Sequence, residues 1–130
     1  MDRDGLWRLV EAYRDAWVAQ DVDRLLELVT PDVVFHNYTA AERVETARQF
    51  GEHVAQIHAR WPDTRFAERR IHFGDDLAVV EWTAAATRTD RRQIEWDGSD
   101  VIVLRDGRIC ANYVYSSSHS PRVLDVENTA

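Results

Sequence analysis

Apolar side chains recur at helical spacing in the first part of the chain. In GLWRLVEAYRDAWVAQ, residues 5–20, they return at helical intervals, and Asp4 is a plausible N-cap. DVDRLLELV, residues 21–29, shows the same spacing behind a second cap at Asp21. The pattern predicts two consecutive helices. The second ends near Pro31, because the residue before a proline avoids helical backbone angles.

The next stretch predicts a strand followed by a third helix. PDVVFHNYTA, residues 31–40, begins with an apolar run and turns polar at its end, as a strand does where it leaves the core. Residues 41–61 carry one apolar stripe at helical spacing. Pro62 follows directly and cannot continue a helix, so the third helix is expected to end there.

From Thr64 onward the hydrophobic period changes to two, which is typical of strands. Polar turns separate four long runs, in the order of an antiparallel meander. The runs are RFAERRIHF (65–73), LAVVEWTAAATRT (77–89), QIEWDGSDVIVL (93–104) and RICANYVYS (108–116). Three helices followed by such strands predict an α+β fold with a curved antiparallel sheet. Residues 118–130 are polar and are expected to form a loose tail or a flap.

Composition places the chain among ordinary globular domains. Its 130 residues are 45% hydrophobic and 30% charged, and we expect one domain over 1–130 with a core from about 5 to 117. The net charge of -7 argues against a nucleic-acid partner. No apolar run reaches the roughly 18 residues of a membrane helix. The opening MDRDGLWR lacks a signal-peptide pattern. Together these observations favour a cytoplasmic protein without a membrane partner.

The basic, cysteine and histidine residues exclude several chemistries. All 16 basic residues are arginine, which rules out lysine Schiff bases and favours a GC-rich bacterial genome. Cys110 is the single cysteine, cannot form an internal disulfide, and lies in an apolar strand run. His53 and His58 are five positions apart, which is not metal-ligand spacing on a helix, so neither a metal nor a cofactor is expected.

One strand segment predicts a partner. In DVIVL, residues 100–104, Ile102 and Leu104 lie on one face, while Val101 and Val103 lie on the other. A strand that is apolar on both faces needs cover on both. The helices can cover one face, and a second copy of the chain is the simplest cover for the other. We therefore expect a homodimer through the outer face of the sheet.

The order of elements resembles the SnoaL-like group of the nuclear-transport-factor-2-like (NTF2-like) superfamily, which includes ketosteroid isomerases and polyketide cyclases. Three segments carry the resemblance: YRDAWVAQDVDRLLELVTPDVVFHN, WPDTRFAERRIHFGDDLAVVEWT and GSDVIVLRDGRI. The resemblance implies a cone-shaped sheet wrapped around the helices, with one deep apolar pocket. Because this fold supports many chemistries, the resemblance implies the fold more firmly than the reaction.

Ketosteroid isomerases use three polar groups, and local alignment carries their positions to Tyr13, Asp100 and Asn37. The first two would hydrogen-bond the oxygen of an enolate, and the third is the position of the proton-shuttling carboxylate. Asn37 is a neutral amide and cannot accept a proton at neutral pH, so the same isomerase mechanism is not expected here. Asn37 would instead orient the substrate or a water molecule.

Each of these candidates has a purely structural alternative. Tyr13 lies on the apolar stripe of its helix and could be an ordinary core residue. Asp100 shares a strand face with apolar residues, which raises the pKa of a carboxyl group, but it could also lie at a strand end or pair with an arginine. Strict alternation turns Asn37 toward the pocket, whereas His36 and Tyr38 then point outward.

Aromatic residues are the candidates for the pocket wall. Phe35 alternates with Asn37, and His58 lies one turn beyond Val54 on the third helix and could reach the inner face. Four of the five tryptophans join them as candidate ligand contacts, with core packing as the alternative for each. These four are Trp17, Trp61, Trp82 and Trp96.

Two functions fit this set of residues. One is a cofactor-independent enzyme that isomerises, cyclises or dehydrates a small apolar, carbonyl-bearing molecule of polyketide or terpenoid type, with Tyr13 and Asp100 polarising the oxygen. The other is a non-catalytic module of the same fold, which binds an apolar ligand or serves as a dimerisation unit. The absence of a base at Asn37 favours the second function, and a carboxyl group on an apolar face favours the first.

Overall fold

The computed structural model describes residues 1–124, which form three helices and a seven-stranded sheet. In chain order the elements are α1 (Arg3–Val18), α2 (Val22–Leu28), β1 (Val29–Asn37), β2 (Glu42–Val44), α3 (Ala47–Arg60), β3 (Arg65–Phe73), β4 (Leu77–Thr87), β5 (Gln93–Arg105), β6 (Arg108–Ser116) and β7 (Arg122–Val123). The α+β class is confirmed, and the predicted bounds of β3 and β6 agree with the structure.

Aspartates cap the first two helices. The Asp21 carboxylate accepts a hydrogen bond from the backbone N–H of Arg24 at 3.0 Å, so this predicted cap is confirmed. The predicted cap at Asp4 is wrong, because Asp2 caps α1 by accepting from the N–H of Gly5 at 2.7 Å. Asp4 lies within the first turn, where its negative charge interacts favourably with the positive end of the helix dipole.

The third helix is shorter than its apolar stripe predicts. It begins at Ala47, with Thr46 as N-cap, and residues 42–44 form the short strand β2 instead. Val44 pairs with Phe35 across β1 and β2, so its side chain joins the core from a strand. The turn between the two strands contains Ala41 with a positive φ of 56°, which interrupts helical geometry.

The sheet has the order β2-β1-β6-β5-β4-β3, and β7 pairs with the first part of β5. Its second half is the predicted antiparallel meander. The sheet departs from the predicted antiparallel arrangement at one pair, because β1 runs parallel to β6 and the sheet is therefore mixed. β6 turns back from β5 and so runs in the same direction as β1, beside which it lies.

The polar tail is partly ordered. Arg122 and Val123 pair with Glu95 and Ile94 on β5, and Leu124 donates its backbone N–H to the carbonyl of Gln93 at 2.9 Å. Residues 122–124 of the expected loose tail or flap therefore form ladder hydrogen bonds with the sheet. Residues 125–130 of the predicted tail lie outside the described residues.

The sheet curls around the helices, and the core lies on its concave face. On β4 the inward positions alternate strictly with outward ones and are buried: Ala78, Val80, Trp82, Ala84 and Ala86. The stripe of α1, with Leu6, Val10, Tyr13 and Ala16, packs into this core, together with Phe50 and Val54 of α3. Burial of these two stripes and the inner face supplies the main driving force for the fold.

The convex face is less protected. Val101 and Val103 of β5 are only half-buried, whereas Ile102 and Leu104 on the inner side are buried. Val101 pairs with Val79 of β4, and Val103 pairs with Leu77, which is 36% exposed. We call Leu77, Val79, Val101 and Val103 the outer apolar patch. No helix among the described residues is long and apolar enough to cross a membrane.

Candidate active site

A cavity of about 350 Å³ lies between the helices and the concave face of the sheet. Five of the predicted aromatic residues line it: Trp17 from α1, Phe35 from β1, Trp61 after α3, Trp82 from β4 and Trp96 from β5. These rings come from five different segments because the sheet curls around α1. Together with Val10, Ile57 and Ile94 they make the wall predominantly apolar, a surface suited to a flat hydrophobic molecule.

Asp100 is an acidic group on the wall of this cavity. It lies on the inward face of β5 with Trp96 and Ile102, and its carboxyl group lines the cavity. Burial raises the pKa of Asp100 to about 7, although hydrogen bonding from Trp82 and the nearby amide of Asn112 favour the ionised form. A carboxyl group with this pKa exchanges protons at neutral pH, so it can donate to or accept from a ligand oxygen.

The indole of Trp82 holds the Asp100 carboxylate. Its Nε1–H donates to Oδ1 of Asp100 at 3.1 Å, and its ring contacts Phe66 edge-on with the centroids 5.5 Å apart. The ring lies across Gly98, the cross-strand partner of Trp82. A Cβ atom at Gly98 would stand 2.4 Å from the Trp82 ring. Because Gly98 has no side chain, the indole ring of Trp82 can lie over it and reach Asp100.

Tyr13 is buried beside the same carboxyl group. Its hydroxyl donates to Oδ1 of Asn112 at 2.8 Å, and burial raises the pKa of the Tyr13 phenol far above its ordinary value, so the phenol stays neutral. Tyr13 lines the cavity but directs its proton to Asn112. Tyr13 can donate to a ligand only after it breaks its hydrogen bond to Asn112. Asp100 is therefore the better candidate for the group that donates a proton to a ligand oxygen.

Asn112 was missed by the sequence reading. It is fully buried on β6, and in the described part of the chain its Nδ2 has no hydrogen-bond partner of ordinary geometry. The amide nevertheless lies close enough to Asp100 to lower the pKa of that carboxyl group. Its alternation with the buried Val114 was the available signal, because both face inward on one strand. Tyr13, Asn112, Asp100 and Trp82 form a connected polar group, which we call the polar wall.

Asn37 lines the cavity, as the alternation of β1 predicts. Its Oδ1 accepts from the backbone N–H groups of Thr39 and Ala40, both at 3.1 Å. The side-chain oxygen thus fixes the turn after β1, an Asx turn, and the remaining amide hydrogens are the donors available to a ligand. His36 lies on the opposite side of the strand and stacks on the exposed Tyr38 at 3.9 Å between ring centroids.

The structure does not bring His58 into the cavity. Its ring packs edge-on against Trp17, with the centroids 5.6 Å apart, and the described residues that line the cavity on this side include Ile57 and Arg60 instead. Burial lowers the pKa of His58, which favours its neutral form. The prediction of a ligand contact at His58 is corrected, because one helical position separates it from the face that lines the cavity. It supports a wall residue from behind.

Two further acidic side chains reach the cavity and were not identified from the sequence. Glu68 on β3 pairs with Arg14 of α1, and both line the cavity. Glu42 lines the cavity from β2, a strand that the helical stripe concealed. Within residues 1–124, no group of three or more His, Cys, Asp or Glu side chains is arranged to hold a metal ion.

Solved structures share this architecture. IdmH from Streptomyces antibioticus, a candidate polyketide cyclase, is 21% identical with a TM-score of 0.76, and the match covers 87% of this chain and 92% of IdmH. TerC, co-crystallised with polyporic acid, is 17% identical with a TM-score of 0.79, over 89% of this chain and 94% of TerC. An LEH-like epoxide hydrolase from M. tuberculosis is 21% identical with a TM-score of 0.73, and the match covers 86% of this chain and 82% of the hydrolase. These likenesses show the fold.

Three helices within a curled, open, mixed sheet that encloses an apolar cavity make up the cone-shaped fold that this chain shares with a solved NTF2-like protein from Burkholderia pseudomallei. The model of the SnoaL-like domain matches residues 10–112, and the chain belongs to that family. No curated protein sequence matches the chain significantly.

Proposed function

We propose that this protein is a cofactor-independent enzyme that moves protons on a small, flat, carbonyl-bearing molecule. The observation that carries the proposal is Asp100, a carboxyl group with a pKa of about 7 on the wall of an apolar cavity. A group that titrates at neutral pH can stabilise an enolate oxygen as a hydrogen-bond donor and can return a proton. Isomerisation, cyclisation and dehydration next to a carbonyl group can each proceed through an enolate.

The polar wall supplies the chemistry at the oxygen. Trp82 donates to the Asp100 carboxylate, and the neutral phenol of Tyr13 orients Asn112 beside it. The carboxyl group is therefore held at a fixed position while charge develops on the ligand oxygen, which is the arrangement that lowers a proton-transfer barrier. The free amide hydrogens of Asn37 can orient a second oxygen of the ligand.

The aromatic wall defines the ligand class. Trp61 and Trp96 approach each other with centroids 6.3 Å apart, and Trp17 and Phe35 approach at 6.0 Å. Both pairs are tilted rings in contact, and together they form a broad aromatic surface that favours a fused-ring ligand of polyketide or terpenoid type. The structural likeness to a candidate polyketide cyclase and to a protein crystallised with polyporic acid supports the same class. No cofactor is required by this chemistry.

The proposal predicts accelerated hydrogen exchange at the carbon next to a carbonyl group. A panel of fused-ring ketones is incubated with the protein in D₂O, and ¹H NMR follows the loss of the α-hydrogen signals. We expect at least one ketone to exchange ~100-fold faster than in buffer, a typical effect of a positioned acid–base group. If every ketone binds and none exchanges faster, the enzyme proposal is wrong.

A second candidate function is ligand binding without turnover. Asn37 favours it, because the amide cannot accept a proton and its oxygen is engaged in the backbone turn. In that case the cavity would retain ketones with measurable affinity and leave their α-hydrogens untouched. The exchange experiment therefore separates the two functions.

We further propose that the working unit is a homodimer assembled through the outer apolar patch. The half-buried Val101 and Val103 and the exposed Leu77 leave an apolar surface on the outer face of the sheet. Sedimentation at micromolar concentration should give twice the chain mass of 15.1 kDa. Val101→Glu should reduce it to the monomer mass, whereas Val18→Glu, at an exposed position of α1, should not. A monomeric wild type would refute the dimer.

A further inference from the structure

Asn37 has an amide where a carboxylate base would be expected, but the neighbouring strand β2 carries a carboxylate at Glu42. In the antiparallel pair of β1 and β2, Glu42 is the direct partner of Asn37. Directly opposed residues of an antiparallel pair project to the same face of the sheet. Both side chains line the cavity. Glu42 therefore presents a carboxylate to the same region of the cavity as Asn37, from the neighbouring strand.

The oxygens of Glu42 are open to a ligand. Among the described residues its side chain makes no hydrogen bond within ordinary distance, and Nε2 of His53 lies 3.8 Å from its Oε1. Glu68, the other glutamate of the cavity, is held in an ion pair by Arg14. Of these two glutamates, Glu42 is the one with oxygens available to accept a proton from a bound molecule.

His53 supports Glu42 from behind. Its side chain is 11% exposed, and its ring lies 5.5 Å from the ring of Phe35, measured between centroids. Within the described chain its Nε2 is buried without a hydrogen-bond partner. A buried polar atom without a partner is uncommon, and here Nε2 lies 3.8 Å from Oε1 of Glu42. A contraction of less than 1 Å would join the two groups in a hydrogen bond.

We propose that Glu42 is the general base of the cavity and that His53 positions it. This inference rests on the proton-transfer function proposed above. Glu42 takes the proton from the carbon next to the ligand carbonyl, and the C–H electron pair becomes the new C=C bond. The carbonyl π electrons move to the oxygen, where the protonated Asp100 donates a hydrogen bond. The Glu42 carboxylic acid then returns the proton to another carbon, so the isomerisation needs no co-reactant.

Glu42→Gln tests the base. We expect kcat for α-hydrogen exchange to fall ~100-fold or more, while the Kd for 2-naphthol stays within about threefold, because the amide fills the same space. Glu45→Gln is the matched control, since Glu45 pairs with Arg43 at the surface near the same strand. The double variant Asn37→Asp/Glu42→Gln should recover part of kcat, because it moves the carboxylate to the partner strand.

The positioning role of His53 is tested by measuring the effects of its substitution on kcat and on KM separately. His53→Leu should lower kcat with KM unchanged, and His53→Gln, which keeps a nitrogen donor, should retain most of the rate. Equal losses in both variants, or a change in KM alone, would indicate a packing role and overturn the positioning of Glu42.

The two proposals fail in different ways. Full activity in Glu42→Gln with an active wild type overturns Glu42 as base and leaves proton transfer in the cavity intact. An inactive wild type that still binds 2-naphthol overturns the proposed function and the base with it.

Discussion

Replacing Asp100 with asparagine is expected to slow α-hydrogen exchange in the cavity by about 10²- to 10⁴-fold, the usual contribution of a positioned acid–base group. The amide keeps the size of the side chain and its place between Trp82 and Asn112, but it can no longer donate a carboxylic proton. The affinity for an apolar ligand should change little, because the aromatic wall is untouched. The measurement is kcat and KM for exchange by ¹H NMR.

The control for this variant is Asp106→Asn. Asp106 lies exposed in the turn between β5 and β6 with a positive φ of 53°, a conformation that asparagine adopts readily. It should leave the exchange rate unchanged. Undiminished exchange in Asp100→Asn would show that the carboxyl group has no part in the reaction.

The second large effect concerns stability as a function of pH. The folded-state pKa of Asp100 is raised from 3.8 to about 7, so between these values the folded protein binds more protons than the unfolded chain. Stability from this group therefore falls as pH rises from about 4 and is lowest above pH 7. At roughly 1.4 kcal/mol per pKa unit, the loss is about 4 kcal/mol.

Urea unfolding of the wild type and of Asp100→Asn between pH 4 and pH 8 measures this effect. The difference in free energy of unfolding between the two proteins is the informative quantity, because it cancels other titrations. His58 is one of these: burial lowers its pKa, so its contribution rises with pH and opposes that of Asp100. Relative to the variant, the wild type should lose a few kcal/mol across the range. A constant difference would mean that Asp100 titrates normally.

The sequence pattern of a single helix or strand was sufficient to predict which side chains of that element face the core. The alternation along β5 placed Asp100 beside Ile102 on the inner face, and the stripe of α1 placed Tyr13 in the core. Both positions follow from the period of a single helix or strand. The same reasoning turned Asn37 inward and His36 outward on β1.

The remaining features depend on contacts between distant segments. Tyr13 hydrogen-bonds Asn112 on β6, and β6 lies beside β1 in a parallel pair. No turn pattern in the sequence predicts that pairing. The sequence placed Glu42 in the third helix because Val44 fits its apolar stripe. In the structure, residues 42–44 instead pair with β1 as a strand. The importance of Gly98 depends on the ring of Trp82, which crosses it from the neighbouring strand.

These contacts change the interpretation of the strand end at Asn37. The position carries no base, but the strand paired with it supplies Glu42, and the polar wall supplies a carboxyl group that titrates near neutrality. In our proposal Asp100 is the acid and Glu42 the base of one apolar cavity, and together they would move a proton between two carbons.

The central claim is that Asp100 is a titratable acid that meets the ligand oxygen. Its most direct test is a ¹³C NMR titration of the Asp100 carboxyl carbon, assigned with Asp100→Asn, with and without 2-naphthol as an enolate mimic. We predict a pKa of about 7 in the free protein, and a displaced titration when 2-naphthol occupies the cavity. A carboxyl group that titrates near 4 and does not respond to 2-naphthol would contradict the account.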